Sequence, residues 1–170
     1  MIEKYSKFRN NTNLHIGNVT ASQSKTAFLT NLAKWFEKDE TRSLSYKLLD
    51  EATGNISPSV DVLDLHFLFL ACIEIHERDA KQPEHLSLVK KFCRNQIEIA
   101  HAAAKAFQNE FPDSDLPEHT GFYVLSKICL KNAEFSEATL LASTALKQKW
   151  AGDWQSIIDR TSPTQGVKTT

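Results

Sequence analysis

The pair with the most specific chemical spacing in the chain is Glu98-Ile99-Ala100-His101. Glu-x-x-His puts a carboxylate and an imidazole one helical turn apart on one face, as in helical di-metal centres. Such a centre needs two of these pairs and two further carboxylates. This chain holds a single pair, so the residues read as a solvated polar edge and no metal is assigned. His66 and His76 form a second set, with Asp61, Asp64 and Glu74 near them in sequence. A His–carboxylate pair in a pocket can do acid–base work. In a helical core such residues more often satisfy one another or face the next groove. His119-Thr120-Gly121 offers an anion or peptide contact at a helix N-terminus. It reads more simply as a start signal, with Glu118 favourable beside the positive helix end.

Other reaction types lack their residues. There is no His-Glu-x-x-His, no Gly-x-Ser-x-Gly and no glycine-rich phosphate loop. With 5 glycines in all, a cradle of backbone N–H groups is not expected. Cys72, Cys93 and Cys129 are far apart and form no Cys-x-x-Cys. They read as buried, reduced thiols rather than a zinc site or a redox pair. No cofactor is implied.

The elements that position these groups follow from composition and periodicity. A chain of 170 residues suits one domain, able to bury about 70% of its unfolded surface. Its formal charge is −1, from 20 Lys+Arg against 21 Asp+Glu. A non-specific nucleic-acid binder is usually clearly basic, so nucleic acid is not expected. Lys90, Lys91, Arg94, Lys147 and Lys149 make modest basic faces, read as solvated. The first residues have no apolar core and do not form a signal peptide. The apolar run from Val60 to Ile75 is broken by Asp61, Asp64, His66 and Glu74, so no membrane span is expected. The Asn10-Asn11-Thr12 triplet is idle without secretion. A cytoplasmic protein is the expectation.

Few Gly and Pro and many helix formers predict an all-α fold of about seven helices in stacked antiparallel hairpins. Residues 1–22 read as a polar arm, 23–160 as one helical domain, and 161–170 as a frayed tail. A first helix is expected over 24–38, with Phe28, Leu32, Trp35 and Phe36 on one face. A second turns Leu44, Leu48, Leu49 and Ala52 inward and ends at Gly54 as a left-handed cap. Ser57 and Pro58 start a third helix, apolar on nearly every side and therefore central. Pro83 opens a fourth, with Leu86, Val89, Phe92, Cys93, Ile97 and Ala100 inward. The alanine-rich 101–107 stretch continues it or forms a further helix. Two prolines bound the 111–117 loop. A last hairpin follows, then a short helix capped by Asp153. Trp150 and Trp154 read as sealing the end of the stack, against the alternative of an exposed platform.

The last hairpin resembles the tetratricopeptide repeat. Phe122 stands at the first aromatic position and Leu125 at the Leu. Ser126 replaces the Gly and Cys129 the Tyr. Phe135 takes the aromatic turn position, Ala138 and Ala145 the small ones. Ala142 replaces a larger residue and Trp150 the closing Pro. A weaker echo covers Phe69 to His101, with Val89, Cys93 and Ile97 facing inward on a second helix. The segment from His119 to Trp154 is similar to the C-terminal part of small bacterial tetratricopeptide-like proteins. This resemblance implies a binding scaffold, and hence non-catalytic protein–protein interaction through a helical groove that takes a peptide, a helix or a second subunit. The residues expected to line it are His66, Glu74, His76, Tyr123, Lys127 and Lys131. Two alternatives remain: a small helical metal protein or enzyme using the His/carboxylate pairs, and a self-associating protein whose arm docks on a neighbour.

Overall fold

A computed structural model of the chain describes residues 23–161. The proposed arm and nearly all of the proposed tail lie outside the described residues. The fold is all-helical, and its packed hairpins are compatible with a helical-repeat arrangement. Eight helices are described: α1 (Lys25–Trp35), α2 (Arg42–Gly54), α3 (Val62–Glu77), α4 (Pro83–Glu98), α5 (Ala100–Glu110), α6 (Thr120–Lys131), α7 (Phe135–Lys147) and α8 (Trp154–Thr161). The alanine-rich stretch is thus a helix of its own, split from α4 at Ile99. Thr161 belongs to α8 rather than to the tail.

α3 is the centre. Its apolar residues point several ways, and α1, α2, α4, α5 and α6 all pack on it. It begins later than Ser57-Pro58 suggests. The Asp61 carboxylate accepts from the backbone N–H groups of Leu63 at 2.8 Å and Asp64 at 3.4 Å, and a side chain that takes two free donors makes the better cap. Ser24 caps α1 in turn, accepting from Ala27 N–H at 3.0 Å while its hydroxyl donates to Asp64 at 2.6 Å. That bond ties the start of α1 to the start of α3.

α1 and α2 depart most from the periodicity. α1 buries Thr26, Leu29, Thr30 and Ala33, and its largest apolar residues are left on the other side. The reason is close approach: the Ser45 hydroxyl of α2 donates to the Ala33 carbonyl of α1 at 2.7 Å, a spacing that only small side chains allow. Leu44 is correspondingly turned out, while Leu49 and Ala52 are buried as expected. Gly54 is the last helical residue and not a left-handed cap. Asn55 closes α2 instead, its side-chain amide donating to the Glu51 carbonyl at 2.6 Å.

The α6–α7 hairpin follows the sequence pattern closely. Phe122, Leu125, Ser126 and Cys129 of α6 meet Ala138, Leu141, Ala142 and Ala145 of α7 in the core. Ala133 takes a left-handed φ of 58° in the turn, which lets Glu134 N–H reach back to the Cys129 carbonyl at 2.8 Å. Asp153 caps α8 through Ser156 N–H at 3.3 Å. Trp150 and Trp154 are both buried, with the Trp154 indole N–H donating to the Trp150 carbonyl at 2.7 Å. Neither ring forms an exposed platform.

Candidate functional site

Two histidine clusters and one cleft hold the groups with chemical potential. The first cluster is a closed aromatic cage. His66 of α3 lies parallel to the Trp150 ring at 5.6 Å and meets Phe107 of α5 edge-on at 5.4 Å. His119, the cap of α6, stands 5.2 Å from His66 and 4.7 Å from Trp150, centroid to centroid. His119 Nδ1 accepts from Phe122 N–H at 3.3 Å, so the neutral ring carries its proton on Nε2. His66 Nδ1 and His119 Nε2 have no hydrogen-bond partner among the described residues. Burial pushes His66 down to about 4. Burial, with the neighbouring His66 adding to it, pushes His119 down to about 3. Both rings are therefore neutral at ordinary pH.

A buried bridge fixes this cage. The Gln96 side chain of α4 donates to the His66 carbonyl at 3.1 Å and accepts from Gly121 N–H at 2.7 Å. One amide thus links α3, α4 and the first turn of α6. Two donors of that turn, Gly121 N–H and Phe122 N–H, are taken by Gln96 and His119, so His119 acts as the start signal of α6. Glycine is required at 121: a Cβ would lie 2.8 Å from Gln96 Oε1 and 3.0 Å from the Cys93 carbonyl. Gly121→Ala is expected to destabilise the fold by about 1–3 kcal/mol through this overpacking. Urea unfolding checks it, and a wild-type midpoint would show that the bridge is not tight.

The second cluster joins α2 to the α3–α4 turn. His76 Nδ1 and His85 Nδ1 are 2.9 Å apart and share one proton. Tyr46 stacks on His76 at 4.9 Å, and its hydroxyl donates to Asp79. Arg42 donates to both Asp79 oxygens, at 3.0 and 2.9 Å. Burial, reinforced by His85, holds His76 down to about 4. Burial and the bond to Asp79 push the Tyr46 phenol up to about 12. The Tyr46 and Arg42 bonds lower Asp79. Each of these groups has a partner within the cluster, so it works as a latch between helices.

The expected groove residues do not come together. His66 and His76 are interior, 2% and 4% exposed. α5 packs on α3, and its Phe107 covers the side of His66 that an open groove would need. Glu74 is pinned to Lys34 at 3.2 Å. Tyr123, Lys127 and Lys131 do share an outward stripe of α6, with Lys127 Nζ 5.0 Å from the Tyr123 ring centroid. Among the described residues, Asp61 and Asp64 bond at the helix starts and His76 bonds to His85. Glu98 and His101 are exposed on either side of the Ile99 break.

Among the described residues, one set of three donors lies close enough for a metal: Cys129, Glu134 and Glu137. Arg94 already pairs with Glu137 at 3.7 Å. Burial raises the Cys129 thiol to about 11, away from the thiolate a metal takes. Cys93 rises to about 12 and Cys72 higher still, and all three thiols are free and buried.

Reading along the sequence missed the second cluster, because Arg42, Tyr46, Asp79 and His85 are brought together only by helix packing. It also missed the α5–α7 cleft, although His101, Lys105 and Gln108 recur at helical spacing on α5 and face Lys147 and Gln148 of α7. No protein-family model, curated protein or solved structure matches the chain. No helix among the described residues is long and apolar enough to cross a membrane.

Proposed function

We propose that the protein is a non-catalytic interaction module of tetratricopeptide-like build, and that it seats an amphipathic helix of another protein against α1. The observation that carries this reading is the outer face of α1. Trp35 is 78% exposed and Phe28 52% exposed, with the half-buried Leu32 between them. Positions i, i+4 and i+7 form one stripe, about 10 Å long at 1.5 Å per residue. Among the described residues α1 ends the row of helices and packs on α2 and α3. The end of a helical stack normally shows a polar face to water, so an apolar stripe there suits a further helix. Nearby charges are matched within the chain, Lys25 to Glu51 at 2.8 Å and Lys34 to Glu74 at 3.2 Å. What the stripe offers is therefore apolar contact. The resemblance of the last hairpin to a binding repeat supports the same class. Tyr123, Lys127 and Lys131 are the part of the expected groove that stays accessible.

The test replaces Trp35 with a photo-crosslinking residue in source cells, then measures the crosslinked partner's helix against purified wild-type and Phe28→Ser/Trp35→Ser protein. Loss of two central apolar anchors is expected to weaken binding by about 2 kcal/mol or more, roughly thirtyfold. Equal binding to the variant would overturn the proposal. So would a wild-type dimer that these substitutions dissociate, because the stripe would then belong to a second copy.

A further inference from the structure

We infer that the cleft between α5 and α7 binds a small molecule carrying two or more phosphate groups. It involves no residue of α1 and stands apart from the proposed helix-binding face. The cleft has a volume of about 540 Å³, within the usual range for small-ligand sites. Its walls carry His101, Lys105 and Gln108 from α5, and Lys147, Gln148 and Lys149 from the end of α7. Ala104 keeps the space between the walls open. Among the described residues no carboxylate lines it. Among the described residues the ion pairs use Lys25, Lys34, Arg42, Arg78 and Arg94, and none of the cleft lysines.

The chain as a whole is nearly neutral, at −1, so three lysines in one carboxylate-free cleft are a local concentration and not the spill-over of a basic protein. Like charges held together repel, and an anion between them removes that repulsion. Gln148 is set up to donate. Its side-chain oxygen accepts the Trp150 indole N–H at 3.0 Å, which leaves the amide N–H groups to give. Lys149 has a left-handed φ of 63°, a helix-end position where glycine is the favoured residue. Cations on both walls favour a ligand whose charges are spread over more than one phosphate. Among the described residues the lining has no Phe, Tyr or Trp on which a nucleobase would stack.

The test is titration calorimetry of the full chain with tripolyphosphate, with inorganic phosphate and sulfate at matched ionic strength. Saturable one-to-one binding of tripolyphosphate is expected, at least about tenfold tighter than either control. Lys105→Gln/Lys147→Gln is expected to weaken it by about tenfold or more. Lys149→Gly separates binding from folding: it relieves the left-handed strain, so the melting temperature holds or rises while affinity falls. Absence of saturable binding would overturn the inference. Unchanged affinity in both variants, or equal affinity for sulfate, would do the same.

Discussion

Acidifying the protein from about pH 7.5 to about pH 5 is expected to remove roughly 4 kcal/mol of folding stability through His66 and His119 alone. The ordinary histidine value is 6.5, and burial in the aromatic cage holds these two at about 4 and about 3. Their folded values lie below the unfolded one. As pH falls through 6.5 the unfolded chain takes up the protons first. The contribution is therefore fully present above about 6.5 and is lost progressively toward 4 and below. At pH 5 each ring accounts for about 2 kcal/mol, and His76, shifted the same way, adds to the trend. Urea unfolding at several pH values measures it. A His66→Met/His119→Asn double variant keeps a capping side chain at 119 but cannot titrate at either position. Its stability is expected to vary much less over this range. The same pH slope in the variant would show that the cage is not the source.

Trp150→Ala is expected to cost about 3–5 kcal/mol, the range for deleting a large buried aromatic. The indole is one wall of the cage, parallel to His66 at 5.6 Å and edge-on to Phe107 at 5.9 Å. Its backbone N–H donates to the Ala145 carbonyl at 3.1 Å and closes α7, and its carbonyl holds the Trp154 indole. Truncation leaves these backbone bonds and removes the seal. Water then reaches the two imidazoles, so the variant is expected to lose less further stability on acidification than the wild type. A cost under about 1 kcal/mol at neutral pH would mean that Trp150 does not seal the stack.

What was legible in the sequence was what depends on residues close together along the chain. The α6–α7 hairpin is an example: Phe122, Leu125, Ala138 and Ala145 keep their register because each is set by one helix turn and one short loop. α3 was legible as central because apolar residues around a whole helix leave no side for water. Asp153 was legible as a cap from its place just before α8. The direction in which α1 faces was not legible, for an equally physical reason. Periodicity finds an apolar face but does not say which way it points. The Ser45–Ala33 contact at 2.7 Å brought the small side to α2 and left Phe28 and Trp35 outside.

Composition and local spacing alone determined that this chain is all-helical, close to neutral, short of glycine and free of any recognisable catalytic motif. Only the tertiary structure decided where its chemical groups went. His66 and His76 became interior because α5 and the Arg42–Tyr46–Asp79 latch cover them. Lys105, Lys147 and Lys149 became one cleft because α5 and α7, dozens of residues apart in sequence, face each other. Helix formation is governed by neighbours three and four residues away, whereas a site is assembled by packing between helices, and one sequence read along its length contains the first and not the second.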